Sequence, residues 1–180
     1  LQPPRINTEP GREYADANRK FQGIPGIEQA RNGRLWALWY SGDKREGPQN
    51  YVVLTTSGDD GTTWSGPQLV IDPEGFVRAF DAGIWHDPQG RLWVFWAQAA
   101  GHWDGRAGVW AITTRDSGSA KPTWSKPRRI TDCHLGFNQC VYVEGDAPSF
   151  RQVDIGISKA FTIGSNTVAI RADVLNVFNT

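Results

Sequence analysis

The chain has 180 residues, 19 acidic and 19 basic, so its formal net charge is zero. That balance removes any electrostatic case for nucleic acid or an anionic membrane surface as partner. Twenty Gly, eleven Pro and nine Trp, with few runs of helical period, point to an all-β protein rich in turns. No apolar run reaches the roughly 20 residues of a membrane helix, and no signal peptide is visible. The absence of Met, even at position 1, reads as a processed chain or a fragment. The length suits a single domain able to bury a core.

Residues 1–20, with Pro3, Pro4 and Pro10, read as an irregular lead-in holding at most one short strand. From Phe21 to Asp132 the chain repeats itself. Gly33-Arg34-Leu35-Trp36-Ala37-Leu38-Trp39 returns as Gly90-Arg91-Leu92-Trp93-Val94-Phe95-Trp96, and Gly26-Ile27 returns as Gly83-Ile84. Downstream, Thr55-Thr56 returns as Thr113-Thr114 and Thr63-Trp64-Ser65 as Thr123-Trp124-Ser125. The offset grows from 57 to 60, which places the insertions in loops. Period-two alternation predicts strands at 24–30, 35–41, 51–57 and 67–72, then at 81–87, 91–99, 107–114 and 127–131. Four short strands per repeat make one propeller blade. Trp36, Trp39, Trp93 and Trp96 fall at matched positions, as blade packing requires.

Between the third and fourth strands of the first repeat lies Ser57-Gly58-Asp59-Asp60-Gly61-Thr62-Thr63-Trp64. Asp and Gly are turn formers, Ser57 and Thr63 can tie the turn's amides, and Trp64 can pin the loop to a sheet. The pattern S-x-D-x-G-x-T-W is complete and resembles the Asp-box, or BNR repeat, of sialidase-like β-propellers. In that family the box is structural, so Ser57, Asp59, Gly61, Thr63 and Trp64 are expected to build a turn. The second repeat keeps only Thr123-Trp124 after a longer loop, Arg115 to Pro122. The resemblance covers about residues 21–132 and includes Phe21-Gln22-Gly23-Ile24-Pro25 and Ile71-Asp72-Pro73. It implies a carbohydrate-active propeller of exo-glycosidase type acting on a glycan, without cofactor or metal. Sialidases grip the substrate carboxylate with an arginine triad whose first member precedes an Ile-Pro pair. Here Gly23 stands before Ile24-Pro25, which argues against true sialidase activity.

Propeller topology puts the loop between the second and third strands on the same face as the link into the next blade. That face carries Asp43, Lys44, Arg45 and Glu46, then Arg78 and Asp81, then His102, Trp103, Asp104 and Arg106. Glycoside hydrolysis needs two carboxyl groups on one face, one as acid and one as nucleophile or base. Asp43 with Asp81 or Asp104 meets that need, while Arg45, Arg78, His102, Trp103 and Arg106 are candidates for substrate binding. The competing reading is a set of solvated loop charges. His86 precedes a turn on the opposite, Asp-box face and reads as structural. Two blades close no ring, since propellers use four to eight, so either partners or missing blades are expected, a homo-oligomer among the options. Inactivity of the isolated chain follows from the same argument.

After Asp132 the character changes. Residues 133–150 read as a linker, where Cys133 and Cys140 offer either a disulfide or free thiols; with His134 they are too few for zinc. Residues 151–180 alternate apolar and polar positions on both sides of Gly164-Ser165-Asn166, which predicts a β-hairpin. Arg151-Gln152-Val153-Asp154, Ser158-Lys159-Ala160-Phe161 and the run from Arg171 to Thr180 resemble the C-terminal strands of TonB-dependent outer-membrane receptors. A membrane partner follows only if the hairpin belongs to a barrel. The predicted fold is therefore all-β: two four-stranded propeller-type blades of a sialidase-like β-propeller, followed by a β-hairpin. Both resemblances imply an extracytoplasmic place in a bacterium, whether periplasmic, secreted or in the outer membrane. A non-enzymatic binding or assembly module, or a piece of a receptor, is the alternative function.

Overall fold

The computed structural model describes residues 1–101, 107–134, 139–142, 155–163 and 166–174. It divides into two units, Leu1–Gly145 and Asp146–Thr180. Among the described residues the helical pieces are two 3-10 turns, Arg12–Tyr14 and Asp16–Asn18.

The first unit holds two antiparallel sheets. In the first, β1 (Ile6–Asn7), β2 (Phe21–Gln29), β3 (Leu35–Gly42), β4 (Tyr51–Ser57) and β5 (Leu69–Ile71) lie in the order β1-β5-β4-β3-β2. In the second, β6 (Val77–His86), β7 (Leu92–Ala100), β8 (Ala107–Thr114), β9 (Arg128–His134) and β10 (Gln139–Tyr142) lie in the order β10-β9-β8-β7-β6. Each sheet is thus the expected four-strand meander with one strand added at its outer edge. On the first blade the lead-in supplies it, since Ile6 pairs with Ile71. On the second blade the addition lies in the stretch read as a linker: β9 runs on through His134, and β10 folds back to set Cys140 opposite Cys133.

The first strand of each blade also starts earlier than predicted. In the first blade a β-bulge between Gly23 and Gly26 lets the strand run back to Phe21. Gly23 pairs with Tyr40 and Gly26 with Leu38, so Ile24 and Pro25 together face Trp39. An unpaired bulge position is one of the few places where a strand accepts Pro. The second blade repeats the device, with Asp81 and Ala82 between Phe80, opposite Ala97, and Gly83, opposite Phe95.

Alternation decides which side chains meet between the blades. Trp36, Leu38 and Tyr40 of β3 and Val52 and Leu54 of β4 pack against Ala79, Phe80 and Ala82 of β6 and Val94 and Trp96 of β7. Each large apolar group buried this way contributes about 1.5–3 kcal/mol. The opposite face of the first blade buries Tyr51, Val53 and Val70 beneath Trp39 and Tyr14. The Tyr14 ring meets Tyr51 edge-on with centroids 5.0 Å apart, and its hydroxyl donates to Asp72 Oδ2 at 2.8 Å. The lead-in is therefore a cover for this sheet as well as a strand.

The turn between β4 and β5 closes on itself. Asp59 Oδ1 accepts from the Ser57 hydroxyl at 2.8 Å and from the Thr63 amide at 2.9 Å, while Oδ2 accepts from Thr63 Oγ1 at 2.5 Å. Ser57 Oγ accepts from the Gly61 amide at 2.9 Å, and Trp64 Nε1 donates to Gly61 O at 3.1 Å. Asp60 and Gly61 take left-handed backbone angles, φ 56° and 81°, which explains the Asp-Gly pair. The Thr63 side chain, the Thr63 amide and the Ser57 hydroxyl stabilise the Asp59 carboxylate and hold its pKa down to about 2.

The second unit is a hairpin, β11 (Ile155–Ile163) and β12 (Asn166–Val174), paired from Ile155↔Val174 to Ile163↔Asn166. This places the reversal where the alternation predicts it.

Candidate functional site

The site is built where β3, the loop from Asp43 to Asn50, and the start of β6 converge, on the face opposite the Asp-box. Tyr40 ends the inward-facing row of β3, so its ring is buried while its hydroxyl emerges at the strand's end. That hydroxyl donates to Glu46 Oε1 at 2.5 Å. Burial, followed by the Glu46 hydrogen bond and charge, pushes the Tyr40 pKa well above its ordinary value. Arg78, two residues into β6, is wholly buried, with its guanidinium 3.8 Å above the Phe80 ring. Its Nη1 lies 3.8 Å from Glu46 Oε2 and 3.5 Å from Asn50 Oδ1. A buried guanidinium is tolerated when carboxylate, amide and aromatic groups surround it.

Asn50 holds the loop in shape. Its Nδ2 donates to the carbonyls of Ser41 and Arg45, both at 3.3 Å, and its Oδ1 accepts from the Gly47 amide at 2.7 Å. Its backbone carbonyl accepts from the Ala79 amide at 2.9 Å, joining the loop to the second blade.

Asp81 projects from the bulge of β6 beside this cluster, with φ at 46°. Partial burial, then the Glu46 charge, raise its carboxyl above the ordinary 3.8, with Arg78 pulling the other way. Two carboxyl groups thus share one buried cation. The Asp81 carboxyl gives up its proton less readily than a free one, and the tyrosine hydroxyl engages the second carboxylate.

The sequence pairs Asp43 with Asp81 or Asp104. Asp43 stands on the exposed rim, 3.4 Å from Lys20 Nζ, while Glu46 is the carboxylate whose charge bears on Asp81. Arg45 enters the site through its carbonyl, held by Asn50, and its side chain joins the wall of an open depression that runs from Asp43 to Gln49. His102, Trp103, Asp104 and Arg106 lie outside the described residues. Tyr40 and Asn50 went unread. Tyr40 follows Trp36 and Leu38 at the inward spacing, a signal legible only as packing, and no local pattern marks Asn50 as the loop's anchor. Gly23 has a steric explanation. A Cβ there would lie 2.9 Å from Tyr40 Cζ, so Tyr40 fills the space that an arginine before Ile24-Pro25 would enter. Among the described residues no group of three or more His, Cys, Asp or Glu could hold a metal.

Residues 33–152 match the family of BNR repeat-like domains. The chain belongs to that family. The match spans the Asp-box and strands β3 to β10 and gives the chain a sialidase-like BNR/Asp-box fold. No curated protein matches it. Among solved structures, one similar to it is a protein of unknown function from Dyadobacter fermentans DSM 18053. The two are 16% identical with a TM-score of 0.41, over 83% of this chain and 52% of the other. The chain thus spans about half the length of that protein. Within the BNR repeat-like frame the complete box of the first blade is a structural turn, as its closed hydrogen bonding shows. The chemistry-bearing side chains gather at the other end of the strands.

Proposed function

We propose that these blades belong to a carbohydrate-active, sialidase-like propeller, and that Glu46, Arg78, Asp81 and Tyr40 are their share of its sugar-binding face. The observation that carries this reading is the Glu46–Arg78–Asp81 cluster, in which a strained bulge presents a carboxyl with a raised pKa beside a second carboxylate held by a tyrosine. Asp81 serves as proton donor to the glycosidic oxygen and Glu46 as base, the division of labour that environments pushing two carboxyl pKa values apart create. The glycan is extracytoplasmic, and turnover requires further blades around the axis, since a ring needs at least about four.

Titration calorimetry with sialosides and uronic-acid oligosaccharides tests the binding half. Millimolar binding that weakens about tenfold in Glu46→Gln and Asp81→Asn is expected. Binding indifferent to both substitutions sinks the reading, and robust hydrolysis by this chain alone sinks the requirement for further blades. Exposed Ile24 and Ile27 on β2, the free edge of the first sheet, favour a second reading, an assembly module whose partner covers that edge. Light scattering addresses it: a defined oligomer supports the module, a stable monomer does not.

A further inference from the structure

We propose a second reactive site on the Asp-box face, in which Ser117 is a nucleophile, His86 its base and Glu28 the acid that orients the base, acting on short acyl esters of acidic molecules. The three side chains come from separate elements, Glu28 from β2, His86 from the end of β6 and Ser117 from the loop after β8. Ser117 Oγ lies 2.9 Å from His86 Nε2. His86 Nδ1 lies 3.4 Å from Glu28 Oε1, and the His86 amide donates to Glu28 Oε2 at 3.3 Å. The Gln29 amide fixes the same carboxylate at 3.1 Å. His86 Nδ1 is buried beside the Glu28 carboxylate without a hydrogen bond to it; a proton carried on Nδ1 there leaves the Nε2 lone pair to accept the serine proton, the arrangement by which such triads are recognised on unrelated folds.

The surroundings hold the nucleophile still. Ser117 O accepts from Trp36 Nε1 at 2.7 Å, and Gly118 O accepts from Asn32 Nδ2 and Arg34 Nε, both at 3.0 Å. His86 and Ser117 line one depression together with Asn32, Gln89, Arg31 and Arg115. The two arginines favour a substrate with a carboxylate or similar anion. Asp87, on the same wall, is engaged by Arg91 Nε at 2.5 Å and Trp93 Nε1 at 2.9 Å. Asn32 Nδ2 carries a second N–H, the group assigned to the developing oxyanion.

In the first half-reaction Ser117 Oγ bonds to the acyl carbon and its proton passes to His86 Nε2. The tetrahedral adduct then expels the alcohol, which takes that proton. In the second half, water gives a proton to His86 and bonds to the acyl carbon. Collapse releases the carboxylic acid and returns the proton to Ser117 Oγ.

The test uses the full chain, a fluorophosphonate probe with peptide mapping, and p-nitrophenyl acetate against p-nitrophenyl hydrogen succinate. The expected results are labelling at Ser117, faster turnover of the succinate half-ester, at least a hundredfold loss in Ser117→Ala and about a tenfold loss in Glu28→Gln. Ser117→Cys, which keeps the side chain's size, is expected to alkylate with iodoacetamide faster than free cysteine does. An unlabelled Ser117 in the wild-type chain, or turnover that survives Ser117→Ala, overturns the proposal and leaves the three residues as a strut between blades. Labelling of the wild type decides the matter even if Ser117→Ala does not fold.

Discussion

Ile24 and Asp81 stand at the same point of consecutive blades, 57 residues apart, and both are held in the left-handed region, at φ 44° and 46°. Neither is glycine, and Ile24 is β-branched, for which this backbone costs about 1–2 kcal/mol or more. The same bulge thus recurs in both blades with its strain intact.

Replacing Ile24 by Gly removes that strain at an entropic cost of about 0.5–1 kcal/mol. Ile24 is also 54% exposed, so little burial is lost. Thermal melts of Ile24→Gly are expected to match or exceed the wild type by up to about 3 °C. Gly33→Ala, at φ 88°, is expected to melt several degrees lower. A clear drop for Ile24→Gly contradicts the strain argument.

Asp81→Asn bears on the same geometry through pH. The folded carboxyl titrates above 3.8, so the native state binds its proton more tightly than the unfolded state does. Stability from this group is therefore full below 3.8 and declines as pH rises through the folded value. Asn has no charge to desolvate and tolerates positive φ. The variant should out-melt the wild type at pH 7 and lose most of that advantage near pH 3. An advantage independent of pH would assign the gain to backbone strain alone.

The Asp-box aspartate behaves in the opposite sense. Its folded pKa, about 2, lies below the unfolded 3.8, so its contribution is present above pH 4 and fades as pH falls toward 2. Asp59→Ala should lower the melting temperature at pH 7, and the two melting curves should converge at pH 2. Parallel curves across that range would show that the turn does not depend on the carboxylate.

Trp36→Phe removes the buried indole N–H that meets Ser117 O at 2.7 Å. An orphaned buried carbonyl costs about 1–3 kcal/mol. Urea unfolding should show that loss, whereas Trp64→Phe, whose N–H contact to Gly61 O is exposed, should cost less than about 1 kcal/mol. Equal losses would mean that the inter-blade bond adds nothing beyond ring packing.

The blades were legible because repetition and alternation are local and doubled: Leu35 to Trp39 and Leu92 to Trp96 state one strand twice. The Asp-box turn was legible because all its partners lie within eight residues. The bulges were not, since alternation along one strand does not fix its cross-strand register, and only pairing across to Tyr40 and Leu38 shows the extra residue. Of the candidate site, topology put Arg78 and Asp81 on one face, whereas the loop shape held by Asn50, which brings Glu46 rather than Asp43 beside Arg78, has no local sequence signal. His86 read as structural, and nothing tied it to Ser117 and Glu28, which lie 31 and 58 residues away with no spacing rule to join them.

The missing Asp-box of the second blade has a consequence of its own. In the first blade the turn is a closed circuit, with Asp59, Ser57 and Thr63 answering one another. The longer loop from Arg115 to Pro122 has no such circuit, and its carbonyls at Ser117 and Gly118 answer Trp36, Asn32 and Arg34 of the neighbouring blade. The turn without the box therefore serves as a mortise for the blade beside it. Rebuilding the consensus there would make a sturdier turn and a looser joint.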